Sequence, residues 1–324
     1  MTLTELLETV RRVELRTNRL VNDTMVGAYL SHFKGRGMDF EELREYMPGD
    51  DVRDIDWNVT NRMGRPFVKR YREERELAAV LAVDVSGSSA FGSGSLSKRE
   101  FAAEVAATLA ISAVRNGDKV ALLLFTEQNE LFLPPRKGRR HILRIVREML
   151  AFEPRKRGTD IPAALAFLNH ALHRRSIVFL LTDFLHSTGA PVSQSARAVV
   201  TTVNEPIGRS ALPSPGKRDV IQELGITNTR HDLVCLHLHD PRESHLPDAG
   251  LLTIEDAETG EILELDSGRS SVRDRFTSTN EERLANLDQA LNRTAVDTLR
   301  LSTVEPFAHT LQRFFEIRRG RRRG

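Results

Sequence analysis

The sequence predicts an α/β fold: a doubly wound, mostly parallel sheet with helices on both faces. Three observations predict it. Short apolar runs alternate with longer segments of helical period, the rhythm of strand–helix–strand crossover units. The runs VLAVD (80–84), KVALLLF (119–125) and SIVFLLTD (176–183) lack polar alternation, as strands buried on both faces do. Two of these runs end in aspartate, Asp84 and Asp183, and open parallel sheets gather ligands at the carboxyl ends of their strands.

The elements follow in order. Residues 4–22 place Leu6, Leu7, Val10, Val13, Leu15 and Leu20 at roughly helical spacing between charges, an amphipathic helix with a face to bury. Residues 34–75 are polar and turn-rich and hold the only tryptophan, Trp57. Residues 1–75 therefore read as an N-terminal helical and turn-rich extension packed on the core, and 76–324 as the α/β domain. Strand 80–84 leads into an alanine-rich helix over 98–115, which Gly117-Asp118 breaks before strand 119–125. NELFLPP (129–135) reads as a short strand and 139–151 as a helix. A further helix spans 161–173, with Pro162 in its first turn, where a missing N–H is tolerated. After strand 176–183, residues 186–218 are dominated by small and turn residues and read as a flexible insertion. DLVCLHLHD (232–240) is a strand. LLTIEDAETGEILEL (251–265) alternates around a turn and predicts an inserted β-hairpin. A helix over 280–294, a strand over 297–302, a helix over 305–319 and a basic tail, 318–324, complete the chain.

Composition narrows the class. Of 324 residues, 40% are apolar, enough for a large core. The net charge of +2 gives no general attraction to nucleic acid. One cysteine, Cys235, excludes an internal disulfide and a cysteine-based zinc site. No stretch approaches the about 20 apolar residues of a membrane span, and the charged N-terminus lacks the apolar centre of a signal peptide. A cytoplasmic location is the expectation.

The chemistry collects at one sheet edge. Asp84, Ser86 and Ser88 follow the first core strand, Asp183 ends another, and Thr159 stands just before a helix. All five are oxygen donors, suited to Mg²⁺, which takes about six oxygens and keeps several waters, or to Mn²⁺ or Ca²⁺. If the three hydroxyls bind directly and the carboxylates partly through water, the ion stays under-neutralised. It then seeks an anion, such as an acidic side chain of another protein.

Asp84-x-Ser86-x-Ser88, Gly158-Thr159 and Leu180-Leu181-Thr182-Asp183 resemble the metal-ion-dependent adhesion site of von Willebrand factor type A domains, in order and over about 100 residues. Phe184 and Arg157 depart from glycines common in that pattern, and Phe184 is expected to alter how a partner approaches. The stretch G-R-G-M-D-F-E-E-L-R-E-Y-M-P-G-D-D-V-R-D-I-D-W (35–57), with R-H-D-L-V (230–234) and D-P-R-E (240–243), is similar to a bacterial family, domain of unknown function fifty-eight. That resemblance implies a metal-dependent, non-enzymatic binding partner of a MoxR-type AAA+ ATPase, working in assembly or activation of a protein complex.

Other readings compete. A phosphohydrolase on a related fold would use Asp84 as nucleophile, but needs an acid two residues on, and Ser86 stands there. Asp54-x-Asp56-x-Asn58 begins like a calcium loop, but Val59 and Arg65 replace the required glycine and glutamate. The acids at 50–56 instead have Arg44, Arg53 and Arg62 to pair with. Gly92-Ser93-Gly94-Ser95 reads as a flexible rim of the metal site. Arg318, Arg319, Arg321, Arg322 and Arg323 read as a solvated end rather than a nucleic-acid or lipid contact.

Overall fold

The computed structural model describes residues 3–21, 37–74, 77–185 and 219–321. Two compact units divide the chain: Met1–His32 with Ala78–Gly324, and Phe33–Leu77. The sequence grouped 1–75 as one extension; the units part elsewhere because helix α1 (Leu3–Leu20) packs within the larger unit. Val13 and Thr17 of α1 are buried. Its Glu14 and Arg16 pair with Arg139 at 2.6 Å and Glu104 at 2.9 Å.

The smaller unit carries β1 (Gly37–Glu45), a short helix α2 (Trp57–Met63) and β2 (Phe67–Glu74). The two strands form an antiparallel ribbon with an irregularity between Phe40 and Glu42. Asp56 and Asp50 of this unit hold its local structure. Asp56 caps α2 by accepting from the N–H groups of Asn58 and Val59 and pairs with Lys69 at 3.0 Å. Asp50 takes Arg44 at 2.6 Å.

In the larger unit β3 (Ala78–Asp84), α3 (Lys98–Arg115), β4 (Lys119–Phe125), β5 (Asn129–Arg136), α4 (Arg139–Ala151), α5 (Ile161–Ala171) and β6 (Ile177–Thr182) come first. Then follow α6 (Val220–Arg230), β7 (Asp232–His239), the hairpin strands β8 (Leu251–Glu255) and β9 (Ile262–Asp266), α7 (Ser270–Asn292), β10 (Asp297–Ser302) and α8 (Phe307–Arg321). Residues 186–218, read as an insertion, lie outside the described residues.

The sheet runs β10-β7-β6-β3-β4-β5. Every pairing is parallel except β4 with the edge strand β5. Because strand side chains alternate faces, one face presents Val80, Ala82, Leu123, Val178 and Leu180 to Leu165, Leu168, Leu224 and Leu287 of α5, α6 and α7. The other face carries Phe179, whose ring meets Phe315 of α8 edge-on at 6.3 Å. Phe101 of α3 meets Phe307 at 5.5 Å. Helices therefore cover both faces, as the uninterrupted apolar strands required. Strand order reverses between β3 and β6, which lie side by side. That switch point is where two neighbouring loops diverge and leave a crevice.

Helix α8 corrects the tail. Arg318 is 6% exposed and donates to Asp232 and Asp297, each at 2.6 Å; it is a core ion pair, not part of a solvated end. Among the described residues no helix is long and apolar enough to cross a membrane.

Candidate metal centre

Strand β3 delivers Asp84 to the switch point, and the chain turns there through a one-turn helix over Gly87–Ala90. Asp84 Oδ1 accepts the Ser86 N–H at 2.9 Å and Oδ2 accepts the Thr182 hydroxyl at 2.7 Å. The Ser86 and Ser88 hydroxyls stand 3.1 Å apart. Asp183, immediately past β6, is hydrogen-bonded by Ser88 and accepts the Leu185 N–H at 3.1 Å. Asp84, Ser86, Ser88 and Asp183 thus converge, all buried.

Thr159 belongs to the adjacent loop. The Gly87 N–H donates to the Arg157 carbonyl at 2.9 Å, binding this loop to the serine turn. The contact uses the Arg157 backbone, which a glycine at that position would also supply. Asp160, not Thr159, caps α5, accepting from the Ala163 N–H at 2.9 Å. The Thr159 hydroxyl is left to donate to Glu258 Oε1 at 3.1 Å. Glu258 sits in the turn between β8 and β9.

Phe184 does not face a partner. It is fully buried, packs edge-on against His237 with ring centres 5.7 Å apart, and holds φ +52. This left-handed backbone is where glycine costs least; the buried ring offsets the strain. The Gly92–Ser95 segment is likewise pinned rather than loose: Ser93 donates through N–H and Oγ to Asp240 at 2.9 and 2.5 Å.

Sequence reasoning missed four groups. Lys98, the first residue of α3, is 2% exposed and donates to Asp183 Oδ2 at 2.6 Å and to Glu243. Asp240, a third strand-end aspartate, accepts from Ser93, Arg242 and Thr303 and shares a capping box with Glu243. Its signal was visible, since D-P-R-E ends a strand as Asp84 and Asp183 do. Lys98 and Glu258 carried none: a lysine in a first helical turn and a glutamate in a hairpin turn read as solvated.

Electrostatically the centre is short of positive charge. Burial, then the neighbouring Asp183, pushes the Asp84 carboxyl up to about 6. Burial also works to raise Asp183, but the Lys98 ammonium overrides it and holds that carboxyl below the usual range. Glu243 is raised by burial despite the same ammonium. Three buried carboxylates share the Lys98 ammonium, and the buried Arg283 guanidinium adds a second positive charge that acts on Asp183 and Glu243. Beside Ser88 opens a cavity of about 430 Å³ walled by Phe91, Leu185, Leu252, Ile254 and Phe276, with Glu258 also lining it.

The residues fit a hard dication. The donors are hydroxyls and carboxylates only, the oxygen ligands such an ion takes. Among the described residues no three His, Cys, Asp or Glu side chains form a metal cage, so such an ion would rest on the hydroxyls.

A family model described as protein of unknown function DUF58 matches residues 42–286. The chain is 27% identical over 318 residues to the uncharacterized protein Rv1480 of Mycobacterium tuberculosis, spanning 97% of this chain and 90% of that one. Among solved structures it is similar to the conserved hypothetical protein BatB from Bacteroides thetaiotaomicron, with 10% identity, a TM-score of 0.41, and coverage of 75% of this chain and 98% of that one. It is also similar to a von Willebrand factor type A structure from Catenulispora acidiphila, with 13% identity, a TM-score of 0.36, and coverage of 75% and 42%. The family match takes in the ribbon from Glu42, both strand-end carboxylates and the hairpin, over well more than half of the chain: the protein belongs to the DUF58 family.

Proposed function

We propose that this protein is a non-enzymatic, divalent-metal-dependent protein-binding module. The observation that carries the reading is the switch-point cluster of Asp84, Ser86, Ser88 and Asp183, where three buried carboxylates, counting Glu243, outnumber the two buried cations that act on them, Lys98 and Arg283. A dication there would supply the missing charge. Ser86, Ser88 and Thr159 would bind it as neutral oxygens, with Asp84 and Asp183 acting through water, since their near lone pairs are already engaged. Held mainly by neutral ligands, the ion keeps net positive charge and attracts a carboxylate.

The partner implied by the family resemblance is a MoxR-type AAA+ ATPase. The test is capture of that ATPase by the purified chain with Mg²⁺ present. Capture lost in chelator and in Asp84→Ala supports the reading; capture by Asp84→Ala in chelator defeats it. The enzymatic alternative, a Mg²⁺-dependent phosphohydrolase, is met by assaying a generic phosphate ester. Turnover lost in Asp84→Asn would replace the binding role.

A further inference from the structure

We infer that Glu258 is the metal centre's own carboxylate ligand, so that the turn between β8 and β9 caps the site and an outside acidic side chain must exchange with it. This rests on the metal-binding reading proposed above and adds to it a ligand from outside the Asp84–Asp183 set.

Three observations support it. Glu258 Oε1 lies 3.1 Å from Thr159 Oγ1, the separation already found between Ser86 Oγ and Ser88 Oγ. Neighbouring ligands of an octahedral ion with bonds near 2.0–2.1 Å stand about 2.9 Å apart. If the Thr159 hydroxyl binds the ion as proposed, a carboxylate oxygen this close to it is placed to share that ion.

The turn is also built to aim this residue. Asp256 is buried and its Oδ1 accepts the N–H groups of both Glu258 and Thr259 at 2.9 Å. The Asp256 N–H bonds the Glu261 carbonyl at 2.8 Å and closes the loop. Behind the turn, Leu265, Ile254 and Leu263 of the hairpin pack on Phe276 and Val272 of α7.

Finally, the turn touches the serine loop itself. A Cβ added at Gly87 would meet the Ala257 carbonyl oxygen at 2.1 Å. Only glycine between Ser86 and Ser88 lets the hairpin backbone come this close. The hairpin is thus seated on the site through backbone at Gly87 and through a carboxylate at Thr159. Its displacement would expose the serines, and the neighbouring cavity already reaches Ser88 and Glu258.

The experiment uses Mn²⁺ as the probe and the full chain. Mn²⁺ affinity is measured by calorimetry, and the bound ion by electron paramagnetic resonance, for wild type, Glu258→Ala and Glu258→Gln. Each is titrated in chloride and in acetate of equal ionic strength, with melting curves confirming folded protein. The expected result is a loss of about ten- to hundredfold in affinity for both variants. Acetate should recover affinity in Glu258→Ala and leave wild type unchanged. Glu258→Gln keeps the size without the charge, so it stands as the folded test should the alanine variant not fold. Wild-type affinity in both variants, or no response of Glu258→Ala to acetate, overturns the inference while leaving the metal centre in place. Failure of wild type itself to bind Mn²⁺ overturns both.

Discussion

Lys98 Nζ donates to Asp183 Oδ2 at 2.6 Å from inside the fold, where the lysine side chain is 2% exposed. The same ammonium serves Glu243, joining the start of α3 to the ends of β6 and β7. Burial works to lower this lysine, but Asp183 and Glu243 override it and raise it, so the charge is permanent.

Lys98→Met removes that charge and leaves two buried carboxylates without it. The expected cost is about 3–5 kcal/mol, because an uncompensated buried charge is worse than no charge, read from urea unfolding in chelator. A dication at the neighbouring hydroxyls would restore part of the missing charge, so saturating Mg²⁺ should stabilise Lys98→Met more than wild type. Equal Mg²⁺ effects on the two proteins would separate Lys98 from the centre.

Arg318 gives a second stability prediction. It bridges Asp232 at the start of β7 and Asp297 at the start of β10. Arg318→Met should cost about 3 kcal/mol, and truncation after Glu316 should lower the melting temperature. A truncated chain melting like the full one would return Arg318 to the solvated tail that its arginine-rich surroundings suggested.

Acid should act through His237. Burial, then Arg300, pulls this histidine down to about 3, below its unfolded value of about 6.5. It is neutral in the fold and takes up a proton on unfolding. Its contribution is therefore complete above pH 6.5 and is lost as pH falls toward 3, at about 1.4 kcal/mol per unit. In His237→Phe, whose ring can keep the edge-on contact with Phe184, the melting temperature should fall less between pH 7 and 5 than in wild type. The same fall in both would clear His237 of the acid limb.

The sequence showed the frame more readily than the site's surroundings. VLAVD, KVALLLF and SIVFLLTD were legible because burial on both faces removes polar alternation and leaves polar residues only at their ends. Helix α3 was legible from its alanines; the structure adds the Ser97 capping box with Glu100 that closes its first turn. Helix α6 was not, because VIQELGITNTR carries Gly225 and β-branched residues that weaken helical preference. Strands β1 and β2 were not, because GMDFEELRE and FVKRYREE are too charged to read as sheet; they are strands through their antiparallel pairing with each other. At the centre, Asp84, Ser86, Ser88 and Asp183 stand beside strand ends, where sequence has local meaning. Glu258 meets Thr159 across 99 residues of chain, and Lys98 meets Glu243 across 145. Such encounters come from how the hairpin and α3 fold back, which no local pattern records.

The most direct test is calorimetric titration of Mg²⁺ and Mn²⁺ into wild type and Asp84→Asn, a change that keeps the side chain's size and removes its charge. One saturable site in wild type, absent or strongly weakened in Asp84→Asn, is the predicted result. Equal binding by both proteins, or none by wild type, would contradict a metal held at this edge of the sheet.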